Sequence, residues 1–268
     1  MNNLSCYLYA IEICTPGLLN WQQAQPILAN SLPYKLTSDP IPEAKILSVK
    51  EKRRASATVN LSLHIATQLQ QTMQIEANLL KPIFASSDGD SDIFNYLSTE
   101  LAQPEPAISP TLFHQSLHNS AAGYWSIATR SHTPSLSISA GDYTFSNGLL
   151  TAMSEVVLTQ IPTLYVAYNL ISCAPLDKIN PMLTWFGMGL GFSTKKMPQT
   201  LAKITLKLVA AKSETSLVNT SLEPLRKGNP IACSLPLLEQ IAKRGLTDIY
   251  LDYLPPYSLK INLEEYYQ

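Results

Sequence analysis

The stretch Thr133 to Phe145, "TPSLSISAGDYTF", constrains this chain more than any other. Ser135 to Ser139 has the apolar and small-residue pattern of a strand, Gly141 supplies a turn, and "YTFSNGLLTAMSEVVLTQ" from Tyr143 has helical character. A strand that enters a helix through a tight turn aims the first helical side chains outward, among backbone N–H groups without intrahelical partners. A thiol at such a place ionises more readily than one in solution. This chain has Asp142 there. A carboxylate accepts the same hydrogen bonds as a helix cap, so two readings stand: Asp142 caps the helix, or it takes part in chemistry.

The flanking pattern sets the fold class. Leu8 to Ile13, Pro82 to Ala85 and "TLYVAYNL" from Thr163 are apolar runs of strand length, suited to burial on both faces. Ala55, Val59, Ala66 and Leu69 recur at helical spacing and predict one amphipathic helix from Lys50 to about Thr72. A second helix is expected in "SDIFNYLSTEL", with Ser91 as its N-cap. Strand alternating with helix predicts an α/β domain: a mixed, mainly parallel sheet with helices on both faces. Beyond Ile171, "LTWFGMGLGF" and "AKITLKLVA" read as strands, followed by a helix near Leu237 to Lys243 and a Tyr-rich end. Two regions are expected, 1–170 and 171–268, the second packing on the core of the first or merging with it into a single domain.

Charge and cysteine usage narrow the function classes. Lys plus Arg number 19 and Asp plus Glu 20, a net charge of −1, so no nucleic acid partner is expected. Cys6, Cys14, Cys173 and Cys233 show no metal-ligand spacing and read as reduced thiols of a cytoplasmic protein. The N-terminus lacks a basic leader region, and no apolar run is long enough to span a bilayer, so membrane insertion is not expected. No cofactor or metal is expected either. His114 and His118, four apart, share a face if helical, but no third ligand lies at useful spacing, and an interfacial hydrogen-bonding pair is the favoured reading. "DGDSD", Asp88 to Asp92, fails as a calcium loop because Ile93 stands where Gly is needed and Thr99 where Glu is needed.

Taken together, "SPTLFHQSLHNSAAGYWSIATRSHTPSLSISAGDYTFSNGLL", Ser109 to Leu150, resembles the segment of β-ketoacyl synthases that enters the nucleophile elbow. Pro134 matches the family's proline, Ser137-Ile138-Ser139 the strand end, Ala140-Gly141 the small pair, and Asp142 falls on the nucleophilic Cys. "EKRRASATVNLSLHIA" and "IFASSDGD" resemble the family's first long helix and following strand, so the likeness covers most of residues 1–169. The resemblance implies a thiolase-like half whose elbow lacks the Cys, and a half-sized relative would expose apolar surface where the missing half packs, with "LTWFGMGLGF" as the candidate cover. It also implies two histidines after the elbow, whereas His64, His114, His118 and His132 all precede it. Without thiolate or imidazole a condensation has no means of stabilising its intermediates.

The chain resembles most the shortened ketosynthase-like proteins of aryl polyene (xanthomonadin-type) clusters, described as chain-length-factor-like subunits. That resemblance implies a catalytically silent partner of a full-length β-ketoacyl-ACP synthase, one that shapes the synthase's acyl tunnel. Ser135, Ser137 and Ser139 would then lie on a strand pairing with the partner, with Phe113, His114, Leu117, His118 and Asn119 near the shared tunnel. Tyr124, Trp125 and Phe145 either line that tunnel or are plain core. The basic group Lys50, Lys52, Arg53 and Arg54 is a candidate dock for an acidic acyl carrier protein, with a solvated helix face as the alternative. Two other functions remain open: a stand-alone thioesterase or acyltransferase using Asp142 with His114 or His118, and a homodimeric module that binds acyl chains.

Overall fold

The computed structural model describes residues 3–266. Leu8 to Ile13 lies within β1 (Leu4–Cys14), buried on both faces as its apolar density requires; Glu12, the charge that interrupts the run, is buried with it, its Oε1 accepting the Ile13 N–H at 3.0 Å and the Trp21 N–H at 2.8 Å. The run from Lys50 to Thr72 is not one helix. It divides into α2 (Val49–Lys52) and α3 (Ala57–Met73), because Ser56 turns its Oγ to the Val59 N–H at 3.3 Å and restarts the helix there. After β2 (Lys81–Ala85), Asp90 rather than Ser91 caps α4 (Ser91–Leu101): its Oδ1 accepts the Ile93 N–H at 3.2 Å.

Then come α5 (Pro110–Gln115), α6 (Ser120–Thr129), β3 (Leu136–Ile138), α7 (Thr144–Thr159) and β4 (Thr163–Asn169). The remaining strands are β5 (Phe186–Ser193), β6 (Ala202–Ala210), β7 (Ile249–Asp252) and β8 (Tyr257–Tyr266), with α8 (Glu223–Lys227) and α9 (Leu235–Lys243) between β6 and β7. All eight strands form one sheet in the order β3-β2-β4-β5-β1-β6-β8-β7.

The sheet is mixed, but parallel pairing is confined to β2 with β3 and β2 with β4; every other described pairing is antiparallel. This corrects the mainly parallel expectation. Parallel neighbours need a crossover: α4, α5 and α6 carry the chain from β2 to β3, and α7 returns it from β3 to β4 on the other side of β2, whereas the helices between β1 and β2 and between β6 and β7 join strands that are not neighbours in the sheet. The later strands, buried by the same apolar content, run antiparallel; a buried run carries no signal of direction.

Alternation along the strands feeds two cores. In β4, Tyr165 and Ala167 face the core covered by α1 (Trp21–Leu28), α7 and α9, while Leu164, Val166 and Tyr168 face the one beneath α3 and α6. β5 reads large-small throughout: Phe186, Met188, Leu190 and Phe192 enter the first core, and Gly187, Gly189 and Gly191 turn to α3. A Cβ on Gly189 would lie 3.0 Å from both Ile65 Cγ2 and Leu69 Cδ2, so the glycines let α3 lie directly on the strand. "LTWFGMGLGF" is therefore a central strand between β4 and β1 and not a cover. Among the described residues no helix is long and apolar enough to cross a membrane.

Candidate functional site

At the end of β3 the chain turns through Gly141, whose φ of +56° lies in the left-handed region that disfavours a side chain, into a short 3-10 turn (Gly141–Tyr143) and then α7. Thr144 stitches this junction. Its Oγ1 accepts the Ala140 N–H at 2.9 Å and donates to the Gly141 carbonyl at 2.7 Å. Two serines tie the turn to the loop after β2: Ser87 Oγ donates to the Gly141 carbonyl (2.9 Å) and Ser139 Oγ to the Ser87 carbonyl (2.8 Å). Asp142 stands exposed on the 3-10 turn and caps nothing, since neither that turn nor α7 has a side-chain cap bond. The capping expectation is overturned because Thr144 already satisfies the Ala140 N–H and the 3-10 turn separates Asp142 from the α-helical start.

Asp142 lies at the side of a pocket of about 450 Å³. Glu214, Arg226, Asn229, Cys233 and Asp252 line it, all from the chain beyond residue 210. Arg226 is largely buried and held by two carboxylates: its Nε lies 3.0 Å from each Glu223 oxygen, and Nη1 reaches Glu214. Burial pushes the Glu214 carboxyl up, against the pull of Arg226. Burial, reinforced by the charge on Glu214, likewise pushes the Cys233 thiol well above its ordinary value. The thiol beside the elbow is thus held protonated, which removes its nucleophilicity. Across the junction, Asp88 accepts from Asn180 Nδ2 at 2.7 Å, and its carboxyl is raised first by burial and further by the charge on Asp142.

The second half of the site is the sheet edge. β3 ends the sheet order, with β2 on its inner side only. His118 Nε2 donates to the Ile138 carbonyl at 2.9 Å and so fixes the loop between α5 and α6 against the strand end. Phe113, on α5, and Leu117, in that loop, are exposed. Ser135 and Ser139 are exposed at the strand ends, while Ser137 Oγ and Trp125 Nε1 are buried without a hydrogen-bond partner among the described residues.

A sequence model of the β-ketoacyl synthase N-terminal domain matches residues 20–243, well over half of the chain. The chain belongs to the β-ketoacyl synthase family. No curated protein matches its sequence. Its fold is that of solved ketosynthase structures. The ketosynthase ApeO in complex with its chain length factor ApeC, from Xenorhabdus doucetiae, aligns with a TM-score of 0.74 at 18% identity, over 97% of this chain and 99% of that chain. The ishigamide ketosynthase/chain length factor gives 0.69 at 10% identity, over 97% and 99%. The AntDE:AntF structure, a type II polyketide synthase acyl-carrier protein in complex with its ketosynthase bound to the hexaketide, gives 0.72 at 8%, over 98% and 99%. These likenesses establish a thiolase-like α/β fold.

Within this ketosynthase fold some expected groupings form and others do not. His118 reaches β3 at the Ile138 carbonyl, whereas the exposed side chains of Phe113 and Leu117 are not tied to that strand by any such bond. His114 and His118 do not share a helical face, because α5 stops at Gln115 and His118 lies in the loop beyond. No hydrogen bond joins either imidazole to Asp142 among the described residues, and no group of three His, Cys, Asp or Glu is placed there to hold a metal. Phe145 belongs to the α7 core, while Trp125 and Tyr124 belong to the α3–α6 core on the opposite face of the sheet, so they cannot line one tunnel. Asn119 is exposed at the start of α6. Lys50 and Lys52 lie on α2, with Arg53 and Arg54 just beyond it. Glu214, Arg226, Cys233 and Asp252 were not anticipated. Glu223 and Arg226 at i,i+3 were the one available signal; the rest meet only through folding.

Proposed function

We propose that this chain is a non-catalytic, chain-length-factor-like subunit that pairs with an active β-ketoacyl-ACP synthase and shapes the cavity in which its acyl chain grows, in aryl polyene biosynthesis. The observation that carries this reading is the elbow itself. An exposed carboxylate occupies the outward position, the adjacent thiol of Cys233 is held protonated, and no histidine lines the pocket. Such a site has nothing to accept an acyl group and nothing to promote decarboxylation.

The open edge of β3 supports association. An unpaired edge strand is a ready template for a partner's strand, and Phe113 (58%) on α5 and Leu117 (46%) in the loop that His118 anchors to β3 are exposed apolar side chains. Two of the aligned structures are ketosynthase and chain length factor pairs. In this reading Ser135, Ser137 and Ser139 lie along the junction with the partner, with Phe113, His114, Leu117, His118 and Asn119 beside the shared cavity. Lys50, Lys52, Arg53 and Arg54 meet an acidic acyl carrier protein. The test is intact-mass measurement of the isolated chain after incubation with acyl and malonyl carrier protein. No covalent acyl adduct is expected, and an adduct that turns over would overturn the proposal.

A further inference from the structure

A second groove, of about 480 Å³, lies between the α2 turn and the pair α5 and α6. Lys50 and Arg54 line it from one side and His114 from the other, with Ser48, Thr111 and Tyr124 supplying hydroxyls. Lys52 and Arg53 do not line it. The side chains of Lys50, Arg54 and His114 make no hydrogen bond or ion pair among the described residues, while neighbouring Lys52 pairs with Glu43 at 3.8 Å. Glu51 is the groove's acid, and it faces its own helix start: Oε2 accepts the Ser48 N–H at 2.8 Å, and the Ser48 bonds hold its carboxyl below the usual range. The remaining wall is apolar, formed by Pro110, the Tyr124 ring and Ile127, the last 62% exposed.

Lys50 and Arg54 on one wall, with the His114 ring facing them on the other and the one acid, Glu51, bonded to Ser48, fit a compact multivalent oxyanion, and phosphate takes guanidinium and ammonium donors at once. A bare anion would leave the exposed Ile127 side chain in water, so the complementary ligand carries a planar or apolar group on its phosphate. The geometry points to this groove as a binding site for a small organic phosphate ester, a role separate from pairing at β3. The site belongs to the isolated chain, so its test stands apart from the pairing proposal.

Calorimetric titration with AMP, adenosine and inorganic phosphate separates the contributions. AMP is expected to bind at least about tenfold more tightly than either adenosine or inorganic phosphate, and the Lys50→Gln/Arg54→Gln double variant to lose that advantage. Ile127→Ala is expected to weaken AMP while leaving inorganic phosphate unchanged. Equal binding of AMP and adenosine, equal binding of AMP and phosphate, or full AMP affinity in the double variant would overturn the site. So would binding to vesicles of anionic phospholipid with none to AMP, which would place the phosphate on a lipid surface instead.

Discussion

Tyr165 Oη donates to the Phe145 carbonyl at 2.9 Å, and Gly148, three residues along α7, leaves the space in which the Tyr165 ring lies. A Cβ on Gly148 would fall 2.4 Å from Tyr165 Oη and 2.6 Å from the ring. The contact fixes α7, the helix behind the elbow, onto the central sheet. Neither partner has room to give: Tyr165 is fully buried, and its ring packs on Phe145 with centroids 5.9 Å apart. Gly148→Ala is therefore expected to destabilise the fold by about 1–3 kcal/mol through overpacking. Urea unfolding measures this, and an unchanged midpoint would show that α7 does not rest on Tyr165.

The Glu214–Arg226–Glu223 cluster yields a second expectation. Removing one member of a buried, hydrogen-bonded charge group leaves the others without compensation. Arg226→Ala is expected to cost about 3 kcal/mol, with Glu214 driven further toward its protonated form because Arg226 now opposes its burial. Replacing Arg226 together with both carboxylates by apolar residues is expected to recover much of the loss. A single Arg226→Ala variant as stable as the parent would contradict the cluster.

Asp142 and Asp88 give a pH dependence. The Asp88 carboxyl is raised by burial first and by the charge on Asp142 in addition. An acid raised in the folded state binds its proton more readily there than in the unfolded chain. It therefore opposes folding at neutral pH, and that opposition fades as pH falls through the folded value. Asp142→Asn is expected to raise Tm slightly at pH 7, with the gain shrinking as the pH is lowered toward 4. Thermal melts of parent and variant from pH 7 to pH 4 measure this, and a Tm difference that does not change with pH would contradict the coupling of the two carboxylates.

Much of this architecture was legible in the residues. The strand, turn and helix from Ser135 to Gln160 were readable because Gly141 and the change of period both mark the junction, and β1 and β4 because their runs are of strand length and densely apolar, Glu12 of β1 notwithstanding. Strand direction was not readable, since Phe186 to Ser193 is buried in the same way whether it runs parallel or antiparallel. The opposite-face placement of Trp125 and Phe145 was hidden too, because closeness in sequence to the elbow says nothing about which side of the sheet a helix covers. The pocket beside Asp142 was invisible for a related reason: Glu214, Arg226, Cys233 and Asp252 come from four separate segments.

Thiol reactivity gives a further check. Burial raises Cys6 and Cys14 to about 12, and both are almost wholly enclosed. Under native conditions at pH 8 neither is expected to react with a water-soluble disulfide reagent, and both should react once the chain is unfolded. Rapid native labelling of either, located by peptide mapping, would contradict the packing of β1.

What the proposed pairing does to a synthase is read from its products. An active β-ketoacyl-ACP synthase is assayed alone, with this chain, and with its Phe113→Ala/Leu117→Ala variant, and the lengths of the acyl products are read by mass spectrometry. The account predicts that the chain joins the synthase in a stable pair, that the pair makes a defined product length, and that the variant still pairs but shifts that length. Identical products from the synthase alone and from the mixture would contradict it.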